Sequence, residues 1–218
     1  MQFDPQNRVV KLCTEGMDAE FAGDFAKAHE IFQQAWDNAT NDFEAFTAAH
    51  YLARNQKDPA DSLSWNIKAL DHANSIEDDD MKMHFPSLYL NVARSYEVLG
   101  NLNKAGDYYR LAADNATDLA DSKYASMIRS GIAEGLKRTG SMKVVNDQLA
   151  KLIDRWCERK DLKPLSMILP AWVENLGNQP DITKLVSACS YLYATRSLPE
   201  DEQKLIEQFI RQHSAIQQ

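Results

Sequence analysis

Residues 88–116 read LYLNVARSYEVLGNLNKAGDYYRLAADNA, and their phase decides the fold. Leu88, Val92, Tyr96 and Leu99 recur at three- and four-residue steps, which places them on one face of a helix. Leu102, Ala105, Tyr109 and Ala112 repeat that spacing beyond Gly100. Gly100 therefore marks a reversal between two helices. Ala93, Ala105 and Ala112 stand where two helices approach closely. One such hairpin leaves an apolar face uncovered, so it needs neighbours of its own kind. Residues 12–39 repeat the design.

Working outward from this hairpin, the same periods recur along the chain. Val9, Leu12, Gly16, Ala19 and Ala22 predict a helix ending near Gly23, and Asp24 is a fair N-cap for the next. Phe25, Ala28, Phe32, Ala35 and Trp36 line one side of that second helix. Asn41 or Asp42 caps a third, whose face is Phe43, Phe46, Ala49, His50 and Ala53. The stretch NQKDPAD is a turn, and Pro59 suits the first turn of a fourth helix carrying Leu63, Ile67 and Leu70. Glu77, Asp78, Asp79 and Asp80 lack the glycine and distal glutamate of a calcium loop and read as a solvated helix start. Tyr124, Ile128, Ile132 and Leu136 predict a helix ending at Gly140, with a partner built on Val145, Leu149, Leu152 and Trp156. A dense apolar helix from Leu165 should end at Gly177, kinked or split at Pro170. Two more follow, through Cys189 and through Phe209. No segment alternates long enough to compete as a strand.

Composition agrees. The chain has 218 residues, 44% hydrophobic, with 8 Gly and 7 Pro, so little of it is turn or loop. No apolar run approaches the span of a bilayer. MQFDPQNRVV lacks the basic start and apolar run of a signal peptide, so a cytoplasmic location is expected. The net charge is −8, unevenly spread: −6 over residues 1–75, −2 over 76–140 and zero over 141–218. The acidic first third disfavours nucleic acid, whose affinity comes largely from Lys and Arg. Arg155, Arg159, Lys160 and Lys163 cluster in sequence but read as a solvated helix end. Cys13, Cys157 and Cys189 are odd in number and widely spaced, on or near apolar stripes, as buried free thiols are.

The glycines give the register. Gly23, Gly100, Gly140 and Gly177 each open a hairpin, at intervals of 77, 40 and 37. The 77 must hide another hairpin, which the helices meeting between Asn55 and Pro59 supply. Five residues beyond each glycine lie Ala28, Ala105, Val145 and Ile182. Nine beyond lie Phe32, Tyr109, Leu149 and Val186, and twelve beyond lie Ala35, Ala112, Leu152 and Cys189. The pattern Tyr89, Val92, Ala93, Tyr96, Gly100, Ala105, Tyr109, Ala112 resembles the tetratricopeptide repeat (TPR). Leu12, Gly16, Gly23, Ala28, Phe32, Ala35 is a second copy. Glu15, Ala19, Thr40 and Thr117 depart from it. The resemblance is best over residues 8–140 and degenerate to about 195.

That resemblance implies an all-α fold, a right-handed α-α superhelix of about five helix pairs with a C-terminal capping helix. Repeats would occupy residues 1–160, and residues 161–218 would hold a degenerate repeat and the cap, continuous with the first part. It also implies a concave groove, lined by the first helix of each pair, that holds a peptide or a helix of a partner protein. Cys13 and Met17 stand where a carboxylate clamp of such proteins would need Lys and Asn. Polar residues one step off the packing stripe point into that groove: Thr14, Glu20, Thr47, Tyr51, Arg54, Asn91, Arg94, Glu97, Glu134, Lys137 and Arg138. Arg54 and Arg94 suit a carboxylate, and Asn91 and Tyr51 suit a peptide backbone. The alternative is that they pair with Glu20, Glu97 and Glu134 or simply face solvent. The five histidines, His29, His50, His72, His84 and His213, have no ligand-like spacing, and no phosphate loop or nucleophile elbow is present.

Three readings follow. A non-catalytic adaptor or scaffold binding a protein segment comes first, with no cofactor or metal implied. A regulatory sensor for a short peptide or small molecule comes second. An enzyme with its site in residues 161–218 comes third. The apolar content after Leu162 leaves homo-oligomerisation open beside a capping role.

Overall fold

Four glycines take the left-handed backbone that other residues resist: Gly23 (φ 82°), Gly100 (76°), Gly140 (65°) and Gly177 (78°). They are the four that set the register. At Gly23 the N–H of Asp24 returns to the Ala19 carbonyl, and at Gly100 that of Asn101 returns to Tyr96, the closure that ends a helix at a glycine. The residue after the glycine then caps the next helix. Asp24 accepts from the Lys27 N–H, Asn101 from that of Lys104 and Asn178 from that of Asp181. Stop and start are thus written in adjacent residues.

The computed structural model describes residues 4–116, 119, 122–142 and 147–214. Among them are eleven α-helices and no strand: α1 (Arg8–Phe21), α2 (Phe25–Asp37), α3 (Asp42–Arg54), α4 (Pro59–Asn74), α5 (Phe85–Val98), α6 (Leu102–Asn115), α7 (Lys123–Arg138), α8 (Asp147–Arg159), α9 (Leu162–Val173), α10 (Gln179–Ala194) and α11 (Glu200–Ser214). Asp79–Met83 forms a 3₁₀ turn led by the Asp78 cap, where the run of acids was expected to start a helix. The fold is all-α and built of helical repeats. Packing divides the chain into two compact units, Met1–Ala120 and Asp121–Gln218, a different criterion from the sequence pattern that set the expected boundary at residue 160.

In the first unit three hairpins stack. Helices α1 and α2, α3 and α4, and α5 and α6 pair, while α2 packs on α3 and α4 on α5. Small residues permit the approach. Ala28, Phe32, Ala35, Ala105, Tyr109 and Ala112 are fully buried, as their places after Gly23 and Gly100 require. A Cβ on Gly16 would lie 2.2 Å from Cε1 of Phe32, so α1 and α2 need a glycine there. The hairpin hidden in the 77-residue interval is α3–α4. Its turn has no glycine. Asn55 ends α3, Asp58 caps α4 and Pro59 opens it.

In the second unit Leu149, Leu152, Ile153, Trp156, Ile168, Leu185, Cys189, Leu192, Ile206 and Phe209 form one core from α8 to α11. The register weakens here in a definable way. Cys189 keeps its buried place, but Val186 is half-buried and Leu185 takes the interior position beside it. The buried residue four before Leu185 is Asp181, whose carboxylate binds Arg129 of α7 and the Leu176 N–H. Asp181, Leu185 and Cys189 thus share the buried stripe of α10. Val145 lies outside the described residues, as does Thr117.

Several expectations need correction. Helix α9 ends at Val173 rather than Gly177, because Asn175 and Leu176 turn inward and their loop is tied to Asp181. Pro170 sits within α9 without splitting it. Cys157 is exposed, whereas Cys13 and Cys189 are buried and burial pushes both thiols up to about 12. Phe25, Leu99 and Leu102 extend the apolar stripes of their helices, yet all three are exposed at the hairpin ends. The stripe outruns the neighbour that would cover it.

Candidate functional site

The long α3–α4 turn opens a cavity of about 320 Å³ between the end of α3, the start of α4 and the second half of α5. Arg54, Asn91 and Arg94, three residues expected in a groove, line it together. Its floor is polar and internally satisfied. Asn66 of α4 donates to the Ser95 hydroxyl at 2.9 Å, and that hydroxyl donates to the Asn91 carbonyl. Both side-chain bonds are buried or nearly so, which fixes the floor against α5. Ser62 donates back to the Ala53 carbonyl and Gln56 to that of Leu52, so the turn is tied to α3.

Its rim is cationic. Arg54 pairs with Glu20 of α1 at 2.7 Å and lies over the Tyr51 ring at 5.4 Å. Arg94 and Lys57 are exposed and have no hydrogen-bond or ion-pair partner among the described residues. Two uncommitted cations over an amide and hydroxyl floor suit an anionic oxygen group, the more so in a chain of net charge −8.

The other expected residues fall elsewhere. Tyr51 stacks on Phe32 at 5.2 Å and lines no part of this cavity. Burial raises its phenol, with nearby Cys13 adding to that and Arg54 opposing it. Thr14 and Thr47 turn their hydroxyls back to the carbonyls of Val10 and Phe43. Glu97 accepts from the Tyr109 hydroxyl. Glu134, Lys137 and Arg138 lie on α7, in the second unit. Glu134 and Arg138 pair along the helix at 3.6 Å, and Lys137 sits over the Trp172 ring at 5.6 Å. Arg54 and Arg138 therefore follow the alternative reading, in which groove cations pair with neighbouring acids. Lys57, Ser62, Asn66 and Ser95 were missed. Three of these come from the turn and a second helix, whereas the expected groove residues lie on first helices alone. The absence of a glycine between α3 and α4 was the available signal, since a longer turn leaves a gap.

Histidines and carboxylates elsewhere are structural in their surroundings. His50 is packed edge-on to Tyr51 at 5.3 Å, and its Nδ1 has no partner. Burial, helped by the charges of Arg54 and His84, pulls its imidazole down to about 4. In the second unit Glu202 accepts from Trp156 Nε1 at 2.8 Å and from Arg159 at 2.6 Å. Burial alone would raise its carboxyl; these bonds overcome that and hold it below the usual carboxylate range. Arg155 and Arg159 of the basic run are engaged by Asp201, Asp161 and Glu202. No group of three or more His, Cys, Asp or Glu is placed to hold a metal ion among the described residues, and no helix among them is long and apolar enough to cross a membrane.

No protein-family model matches the chain, and no curated protein matches it. Solved structures do. The chain is similar to a candidate kinesin light chain from Podosopora anserina with nearly identical TPR-like repeats, at 14% identity and a TM-score of 0.52, covering 97% of each chain. A variant of that protein matches at the same identity and TM-score over 99% of each. At this identity the likeness establishes the fold: an all-α, TPR-like helical repeat.

Proposed function

We propose that this TPR-like chain is a non-catalytic adaptor that binds a segment of a partner protein, with a carboxylate of that segment held in the α3–α4–α5 cavity. Folds of this type typically serve protein interaction. The observation that carries the reading is the pair of exposed, unpartnered cations, Arg94 and Lys57, above the Asn66–Ser95–Asn91 floor. Arg94 supplies a planar fork for a carboxylate, Lys57 a mobile charge, and Asn91 an amide for the peptide backbone. Arg54, already held by Glu20, shapes the wall. The cavity is at the small end of ligand sites, so it takes one side chain or a chain terminus, not a helix. The carboxylates Asp181 and Glu202 of the second unit are engaged by cations and core donors, which weighs against catalysis there.

Selection of a random peptide display library on the full chain tests this. Selected peptides should be enriched in acidic residues. Arg94→Ala should weaken the best of them roughly tenfold, the scale of one charge-assisted hydrogen bond. No acidic enrichment, or equal affinity for the Arg94→Ala chain, would remove the cavity as the site. A small carboxylate or phosphate compound that binds more tightly than any selected peptide would favour the sensor reading instead.

A further inference from the structure

Arg54, Gln56 and Lys57 wall not one cavity but two. On their far side a second space of about 810 Å³ opens toward α2. The two differ in chemistry. The first offers cations, amides and hydroxyls. The second is lined by Phe25, Ala26 and His29 of α2 and by the acids Glu30, Asp58 and Asp61. Phe25 is 64% exposed, and Phe21 at the same hairpin end is 97% exposed. Phe25, left in water in the lining of a cavity, marks a contact surface, since aromatic residues at such places carry much of the energy of protein recognition.

We infer that the second cavity is the apolar subsite of the same binding surface, and that the occupant is a partner segment combining an acidic group with a large apolar side chain. The inference rests on the function proposed for the first cavity. The segment crosses the α3–α4 turn. Its carboxylate lies on Arg94 and Lys57, and its apolar side chain on Phe25 and Ala26. Charge sets the direction. Glu30, Asp58 and Asp61 repel an acid from the α2 side, while Arg94, which lines the first cavity and not the second, attracts it to the α5 side. The crossing point is already ordered: Arg54 is held by Glu20, and Gln56 by the Leu52 carbonyl. Little ordering cost therefore remains when a segment is laid across it.

The test repeats the display selection on full-length chains carrying Phe25→Ala or Arg94→Ala. Phe25 is exposed, so its loss leaves the hairpin packed, which helical circular dichroism verifies. Peptides selected on the unaltered chain should carry both an acid and an aromatic or aliphatic residue. Phe25→Ala should erase the apolar preference, weaken the best peptide roughly tenfold, and leave the acidic preference in place. Arg94→Ala should erase the acidic preference. Acidic enrichment with an apolar preference that survives Phe25→Ala overturns the second subsite and leaves the first cavity standing. No acidic enrichment on any chain overturns both. Concentration-dependent dimerisation that Phe25→Ala abolishes, without peptide enrichment, overturns the inference in favour of a second copy of this chain.

Discussion

The two units solve one packing problem with different materials. The first brings helices together through alanine and glycine, with Ala28, Ala35, Ala48, Ala49, Ala69, Ala93, Ala105 and Ala112 all shut off from solvent. Its ion pairs among the described residues, such as Arg54–Glu20, lie at the surface. The second fills its interior with leucine, isoleucine and Trp156, and buries an ion pair as well, Arg129 with Asp181, together with the Glu202 carboxylate, which is bonded to the Trp156 indole and to a half-exposed Arg159. A repeat held by small residues tolerates little variation in register, because each contact depends on the absence of bulk. A core held by large residues and buried ion pairs drifts in register, because its decisive partners are far apart in the chain. Leu185 replacing Val186 at the interior is that drift seen directly.

The sharpest way to break the contrast is to remove one acid from each unit. Asp181→Ala should destabilise the second unit by about 3–5 kcal/mol, because the buried Arg129 loses its close carboxylate and the buried Leu176 N–H loses its acceptor. Glu20→Ala should cost the first unit under about 1 kcal/mol, since the Arg54 pair is half in water. Hydrogen exchange resolved by unit measures both, and equal costs would dissolve the distinction.

Acid provides the second probe, aimed at the first unit. His50 is neutral in the folded chain, with its imidazole pulled down from 6.5 to about 4. The unfolded chain takes up that proton first as pH falls. Stability from this group is therefore complete above about pH 6.5 and declines from there to about pH 4, by up to about 3 kcal/mol. His50→Phe should flatten that part of the profile in urea unfolding followed from pH 7 to pH 4. An unchanged slope would mean that the imidazole is not the group responsible.

The smallest expected effect runs the other way. Lys160 closes α8 with φ at 55°, doing without the freedom that Gly23, Gly100 and Gly140 have at the equivalent reversals. The Asp161 N–H returns to the Trp156 carbonyl, the same closure as at the glycines. Lys160→Gly should therefore stabilise the second unit by about 0.5–1 kcal/mol, read as a rise in the thermal midpoint. A fall would show that the lysine side chain holds something the strain does not outweigh.

What was readable in the residues divides along the same line. The helices, the four glycine reversals and the alanine register were legible because each depends on residues a few positions apart. The hairpin at Asn55–Pro59 was legible from an interval, although nothing in its own residues repeats the glycine. The polar floor was not. Asn66 and Ser95 are 29 positions apart, and neither stands out until α4 is laid against α5. Arg129 and Asp181 are 52 apart, and a sequence offers many such pairs with no means of choosing among them. Leu99 and Leu102 looked like core because periodicity reports which face a residue lies on, not how far along that face the neighbour reaches. Arg54 and Arg94 stand out in the sequence from their place on first helices, but which cation was already spoken for became visible only through Glu20 on another helix.

The adjacency of glycine and cap at Gly23–Asp24, Gly100–Asn101 and Gly177–Asn178 has a consequence for how such a chain can change. The bends at Gly23 and Gly100 carry their own instructions in neighbouring residues, whereas the loop at Gly177 also leans on Arg129 through Asp181. A whole hairpin of the former kind can thus be copied, lost or transplanted with its bend intact. What must then be renegotiated is only the pair of flanks it shares with the hairpins on either side.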